Sequence, residues 1–325
     1  MLASGILTSP APMHIPDGFL SLAVSLLCWV LAAVGVGLAL WRSGKALGER
    51  QVPLMGVLAA FIFAAQMLNF TVAGGTSGHL LGGALAAILL GPWAGILTVT
   101  TVVAIQALLF QDGGLLVMGA NILNMGVIAT LVGYGVYRGV MALARGQRWG
   151  MFAGGFVAAW ASVVLASVAT AVQLIFSGTS PAAVALPAMA GVHVLIGIGE
   201  GLITVGALAF VAVVRRDLVE PARVPARGWR WAAVGLVLAL AVAALAPLAS
   251  AYPDGLERVA EDLGFIGAAQ DAPYQVIPDY AFPGISNQAL ATIVAGLVGT
   301  LLVAGIAFAV ARLRRRAVQG SVISD

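Results

Sequence analysis

The 325 residues contain only three histidines, and each stands where a polar ring is unexpected. His14 lies in Met13-His14-Ile15-Pro16-Asp17-Gly18-Phe19-Leu20, just before the first long apolar run, where Pro-Asp-Gly signals a stiff turn rather than a helix. His79 falls in the densest polar stretch of the chain, Asn69-Phe70-Thr71-Val72-Ala73-Gly74-Gly75-Thr76-Ser77-Gly78-His79-Leu80-Leu81-Gly82-Gly83. Thr76 or Ser77 can cap a helix that follows, which puts His79 in its first turn. His193 and Glu200 lie seven residues apart within an apolar run and therefore share a helix face. Neutral imidazole binds divalent nickel, copper, zinc and cobalt, so the chemistry these residues suggest is metal binding. The bland alternatives are an ordered turn carrying His14, a hydrogen-bonded bundle histidine at position 79, and a buried polar pair at 193 and 200 that fixes packing. An ionisable group inside a membrane helix is costly and often functional, which gives His193 and Glu200 a second reading as groups near the metal or its gate. Asn69, Asn121 and Asn124 are acceptor candidates for the other ring nitrogens.

These residues must be held by membrane helices. With 61% hydrophobic and 9% charged residues, and apolar runs of about 20 residues recurring down the chain, the composition is that of an all-α polytopic membrane protein. Hydropathy and breakers predict about nine transmembrane helices, near 19–41, 52–73, 78–91, 93–111, 120–142, 150–177, 187–215, 229–250 and 288–312. The third spans only about 21 Å, too short to face lipid throughout. All basic residues except Arg258 fall after the first, fifth, seventh and last helices. By the positive-inside rule the N-terminus is outside and the C-terminus cytoplasmic, in a cytoplasmic (inner) membrane. His14 and His79 then share the outer level, which favours one metal shared between them. The formal charge of +3 reflects helix ends and not nucleic-acid binding. The lone Cys28 excludes an intrachain disulfide and a cysteine-based zinc site.

Residues 1–12 carry two prolines and read as an extension outside the fold, with Met13 the expected natural start. The Pro- and Arg-rich stretch 215–230 reads as a cytoplasmic linker between a module at 13–214 and a helical hairpin at 231–316, followed by a tail at 317–325. The external loop of the hairpin, 251–287, carries six acidic residues against Arg258. It is either a solvated face or a surface that attracts cations or docks on the first module. Leu256, Val259, Ala260 and Leu263 lie on one helical face within it. Ala60 and Ala64 belong to a small-residue stripe that permits close approach of a partner helix.

MHIPDGFL, NFTVAGGTSGHLLGG and GVHVLIGIGEGLIT, in that order, resemble the CbiM/NikM family, the substrate-binding membrane component of energy-coupling-factor transporters for cobalt and nickel. Pro253-Asp254-Gly255-Leu256-Glu257 resembles the PDGLE accessory component, NikN or CbiN, fused to the first. The resemblance implies a square-planar metal site built from the Met13 amine, the His14 amide nitrogen and ring, and the His79 ring. Four nitrogens in a plane suit nickel(II) and disfavour zinc. The amine requires a chain that begins at Met13, whereas here Pro12 precedes it. The resemblance further implies Ni2+ or Co2+ as the transported substrate, no organic cofactor, a transmembrane coupling subunit and ABC-type ATPases as partners, and an accessory loop that moves the N-terminal segment. No phosphate-binding loop and no HExxH occur in the chain, so neither an ATPase nor a zinc protease is expected. The alternative is an ATP-independent secondary carrier.

Overall fold

The structure, a computed structural model, describes residues 13–46, 48–49, 51–214 and 230–323. The extension at 1–12, Leu47, Arg50, the linker up to Arg230 and the last two residues of the tail lie outside these. Within them the chain forms α1 Leu22–Ala46, α2 Gln51–Gln66, a two-residue ribbon of β1 Phe70–Thr71 and β2 Ser77–Gly78, α3 Gly83–Leu90 and α4 Pro92–Ile105. There follow α5 Met118–Asn121, α6 Ala129–Leu143, α7 Arg148–Phe176, α8 Ala182–Val214, α9 Arg230–Ala244, α10 Gly255–Asp262 and α11 Gln288–Ile323. Among the described residues six helices are long and apolar enough to cross a membrane, and two shorter apolar ones, 51–66 and 231–244, lie among them. The predicted third segment, 78–91, contracts to α3, eight residues long. The predicted tail is helical as far as Ile323.

Apolar side chains divide the helices into two faces. On α1, Leu22, Leu26, Leu27, Val30, Leu31, Val34 and Leu38 are exposed, while Cys28, Ala32 and Ala39 turn inward. Such an outer face is stable only against lipid. The span Pro92–Phe110 is the most enclosed, with Ile96, Val99, Val102 and Val103 fully buried, and it forms the centre of the bundle. The small-residue face of α2 is occupied from within the chain. Ala60 and Ala64 are fully buried, and α2 packs against both α9 and α11 of the second module. At Gly56, on the same face, an added Cβ would stand 2.9 Å from the Ala304 carbonyl oxygen, so the contact with α11 depends on small residues.

Two π-helical turns interrupt this regularity, Gln106–Phe110 at the end of α4 and Ile122–Ile128 between α5 and α6. Turns of this kind recur at functional sites. Here they flank one end of the bundle, bringing Asp112, Asn121 and Asn124 near the N-terminal segment and Gln106 against Tyr280.

Candidate metal centre

Side-chain hydrogen bonds hold the N-terminal segment against the bundle. Asn121 grips the residue after His14 from both sides, its Oδ1 accepting from Ile15 N–H at 3.1 Å and its Nδ2 donating to Ile15 C=O at 3.1 Å. Asp17 accepts from the N–H groups of Leu115, Leu116 and Val117 at 2.9 to 3.1 Å, tying the turn to the loop before α5. The Pro-Asp-Gly turn therefore positions His14 rather than merely beginning a helix.

His79 lies in extended chain before α3 rather than in the first turn of a helix as expected, because Gly82 takes a left-handed conformation at φ 78° and the helix begins only after it. Its loop is pinned by Glu200, which accepts from Leu81 N–H at 2.7 Å and Gly82 N–H at 3.1 Å while fully buried. Ser77 and Thr76 do not cap α3. The Ser77 hydroxyl donates to Tyr252 C=O at 2.8 Å and its N–H to Pro253 C=O at 2.8 Å, while Thr76 C=O accepts from Val72 N–H. His79 Nδ1 donates to Leu80 C=O at 3.2 Å, which leaves Nε2 as the free lone pair. Burial and then the neighbouring His14 push the His79 pKa down to about 4, so the ring is neutral and able to bind a metal.

The two predicted rings meet. The His14 and His79 centroids lie 5.9 Å apart in a cavity of about 60 Å³ that is also lined by Met13, Asn121, Asn124, His193 and Asp254. His14 is buried and its Nε2 has no partner. Its Nδ1 stands 2.8 Å from Asp112 Oδ1, close but outside hydrogen-bond geometry. The same Asp112 oxygen accepts from Met13 N–H at 2.7 Å. Two nitrogens of the N-terminal hook thus converge on one carboxylate oxygen. Burial opposes ionisation of Asp112, but His14, Tyr280 and Met13 N–H together hold its carboxyl below the ordinary range.

The remaining candidates divide. His193 Nδ1 contacts Met189 C=O at 2.7 Å, and its other edge abuts Gly255, where an added Cβ would lie 2.8 Å from Cε1. Asn124 is spent on Gln173 and Thr170, and both side-chain polar atoms of Asn69 are buried without partners. Among the described residues no three His, Cys, Asp or Glu side chains cluster tightly enough to hold a metal by themselves.

The second module completes the wall. Asp254 caps α10, its Oδ1 accepting from Leu256 and Glu257 N–H at 2.9 and 2.7 Å, and its Oδ2 faces His79 Nε2 at 4.0 Å. Burial, then Glu257, pushes the Asp254 carboxyl well above the ordinary range, and burial raises Glu257 to about 7. Both the solvated and the docking reading of the acidic loop hold in part: Leu256, Val259 and Ala260 are buried with Asp254, while Glu261, Asp262 and Asp271 stay exposed. Sequence reasoning missed Asp112 and Tyr280. An acid between Gln111 and Gly113-Gly114 at the end of an apolar run was the available signal for the first.

The chain is similar to known transport proteins along most of its length. A family model described as the cobalt uptake substrate-specific transmembrane region matches residues 14–218, and a PDGLE domain model matches 229–316. A protein from Archaeoglobus fulgidus bearing a provisional fused nickel transport name, NikMN, is 37% identical over 94% of this chain and 100% of its own. The fused nickel transport protein NikMN of Rhodobacter capsulatus is 31% identical over 90% of this chain and 96% of its own. The cobalt transport protein CbiM of Sorangium cellulosum is 32% identical over 64% of this chain and 95% of its own. A crystal structure described as a truncated transition metal transporter superposes with a TM-score of 0.54 at 34% identity, covering 62% of this chain and 99% of that one.

Proposed function

Since the chain belongs to the CbiM family of substrate-specific transmembrane regions and carries a PDGLE domain on the same polypeptide, we propose that it is the substrate-binding membrane component of an ATP-driven importer for nickel or cobalt ions. Its relatives are named as nickel and cobalt transport proteins and not as enzymes. On this reading a transmembrane coupling subunit and ABC-type ATPases supply the energy. The chain lies in the cytoplasmic membrane with its N-terminus outside, and the ion enters from the outer side.

The observation that carries the reading is the convergence of Met13 N and His14 Nδ1 on one buried point beside the His79 ring. Met13 nitrogen, His14 amide nitrogen, His14 Nδ1 and His79 Nε2 are the proposed ligands. Amine and amide close a five-membered chelate and amide and Nδ1 a six-membered one, a planar arrangement that suits nickel(II). In a chain beginning at Met13 the first nitrogen is an amine with a lone pair, whereas behind Pro12 it is a peptide nitrogen. The buried Asp112 carboxylate supplies negative charge next to the incoming cation, and the depressed pKa of His79 means no proton has to leave it first.

The test is equilibrium competition of nickel against cobalt on purified protein starting at Met13 and on protein that retains residues 1–12. Tight, stoichiometric binding only to the first is expected, and equal affinity of the two overturns the amine ligand. Uptake into vesicles should require the ATPase partners. Uptake driven by an ion gradient alone overturns the ATP-driven assignment and favours a secondary carrier.

A further inference from the structure

Resting on the reading of this centre as a metal site, we propose that Tyr280 of the second module is a positioning residue for metal binding. It holds one oxygen of Asp112 so that the other is aimed at the N-terminal hook. The outer loop of the hairpin thereby sets how firmly the first module keeps its ion.

The argument starts from the freedom of a carboxylate. Asp112 Oδ1 meets Met13 N and His14 Nδ1, and what stops the group rotating away is its second oxygen. Tyr280 donates its hydroxyl to Asp112 Oδ2 at 2.5 Å and accepts from Gln106 Nε2 at 3.1 Å. Both Tyr280 and Gln106 are fully buried and Asp112 is nearly so, and short hydrogen bonds to a carboxylate in such surroundings are strong. The chain runs accessory loop, Tyr280, Asp112, hook, with no gap in it.

The local backbone is shaped for this contact. Asp279 and Tyr280 adopt φ values of 50° and 55°, a left-handed conformation unfavourable for residues with side chains. The turn is over-determined by its surroundings. The Tyr280 ring stacks on Phe110 with centroids 4.9 Å apart at 21°, Ile277 N–H donates to Leu109 C=O at 2.9 Å, and the Tyr274 hydroxyl donates to Leu108 C=O at 2.9 Å. A loop that served only to cover the surface would not need a strained turn to drive a tyrosine hydroxyl onto a buried acid.

The partners of ligand-bearing groups commonly matter 10- to 100-fold in metal affinity, which sets the scale of the test. In the full chain, nickel affinity by chelator competition is measured for Tyr280→Phe, Asp112→Asn and the double variant. Tyr280→Phe keeps the ring, its stacking and its burial, and is expected to weaken binding about tenfold, with Asp112→Asn weakening it by about as much or more. The double variant should be no weaker than Asp112→Asn alone, since Tyr280 acts through Asp112. In metal-free protein, amide exchange at His14 and Ile15 should quicken in Tyr280→Phe, a readout available even where binding is too weak to measure. Wild-type affinity with unchanged exchange in Tyr280→Phe, or losses that multiply in the double variant, overturns the proposal. A wild-type protein that binds neither nickel nor cobalt overturns instead the reading on which it rests.

Discussion

At the scale of single residues, His79 and Glu200 divide one task. The imidazole offers Nε2 to the cavity, while Glu200, fully buried, fixes the loop that carries it through Leu81 and Gly82 N–H. His79→Ala should therefore abolish tight nickel binding and leave the melting temperature close to wild type, because its loop is held by other residues. Stoichiometric nickel retained by that variant would refute the assignment. Glu200→Gln offers one acceptor to two N–H groups and leaves a buried donor unsatisfied. A loss of about 1–3 kcal/mol is expected, read as a lowered melting temperature together with weaker nickel binding. The sequence paired Glu200 with His193 by their spacing, and they do share a helix. The carboxylate is spent on backbone 118 and 119 residues away, however, a partnership that no local pattern encodes.

Among the elements, α10 shows how a motif readable as letters becomes a docking device. Asp254 and Glu257 form a reciprocal capping box, Gly255 admits His193, and the apolar face of the helix beds onto α8. Asn caps a helix about as well as Asp, whereas Ala costs about 1 kcal/mol. Asp254→Asn should leave the exchange rates of residues 255–263 near wild type, and Asp254→Ala should raise them. Burial lifts the folded Glu257 carboxyl from 4.5 to about 7, so its neutral form is the one the fold favours. Its contribution is complete below its unfolded value and is lost as pH rises through 7. Exchange in α10, corrected for the intrinsic pH dependence, should be faster at pH 8 than at pH 5.5. The helical face of this segment was legible from the spacing of Leu256, Val259 and Ala260. The fate of the Pro-rich stretch after it was not, because a turn that delivers Tyr280 across a separation of 168 residues leaves no periodic trace.

In the whole molecule the long apolar runs revealed the membrane helices and their order, since hydropathy is a property of each segment alone. Which helix covers which was not legible. The small-residue face of α2, read as an approach surface for a partner, is covered by the chain's own second module. The two modules thus share an interface at α2 and another at Tyr252, Asp254, Gln270 and Tyr280. Cutting the chain between Val214 and Arg230 should leave them co-purifying in mild detergent, whereas removing residues 254–286 should spare the helices and impair nickel uptake. Separation of the cut halves, or undiminished uptake without the loop, would contradict this arrangement. The strained turn at Asp279 and Tyr280 has a consequence for the fusion itself. A contact that must first bend its own backbone is a poor recruiter between free proteins. On one polypeptide, tethering raises the effective concentration of the loop at its target to about the millimolar range. The strain is then borne within one chain, and the contact does not depend on two separate proteins meeting.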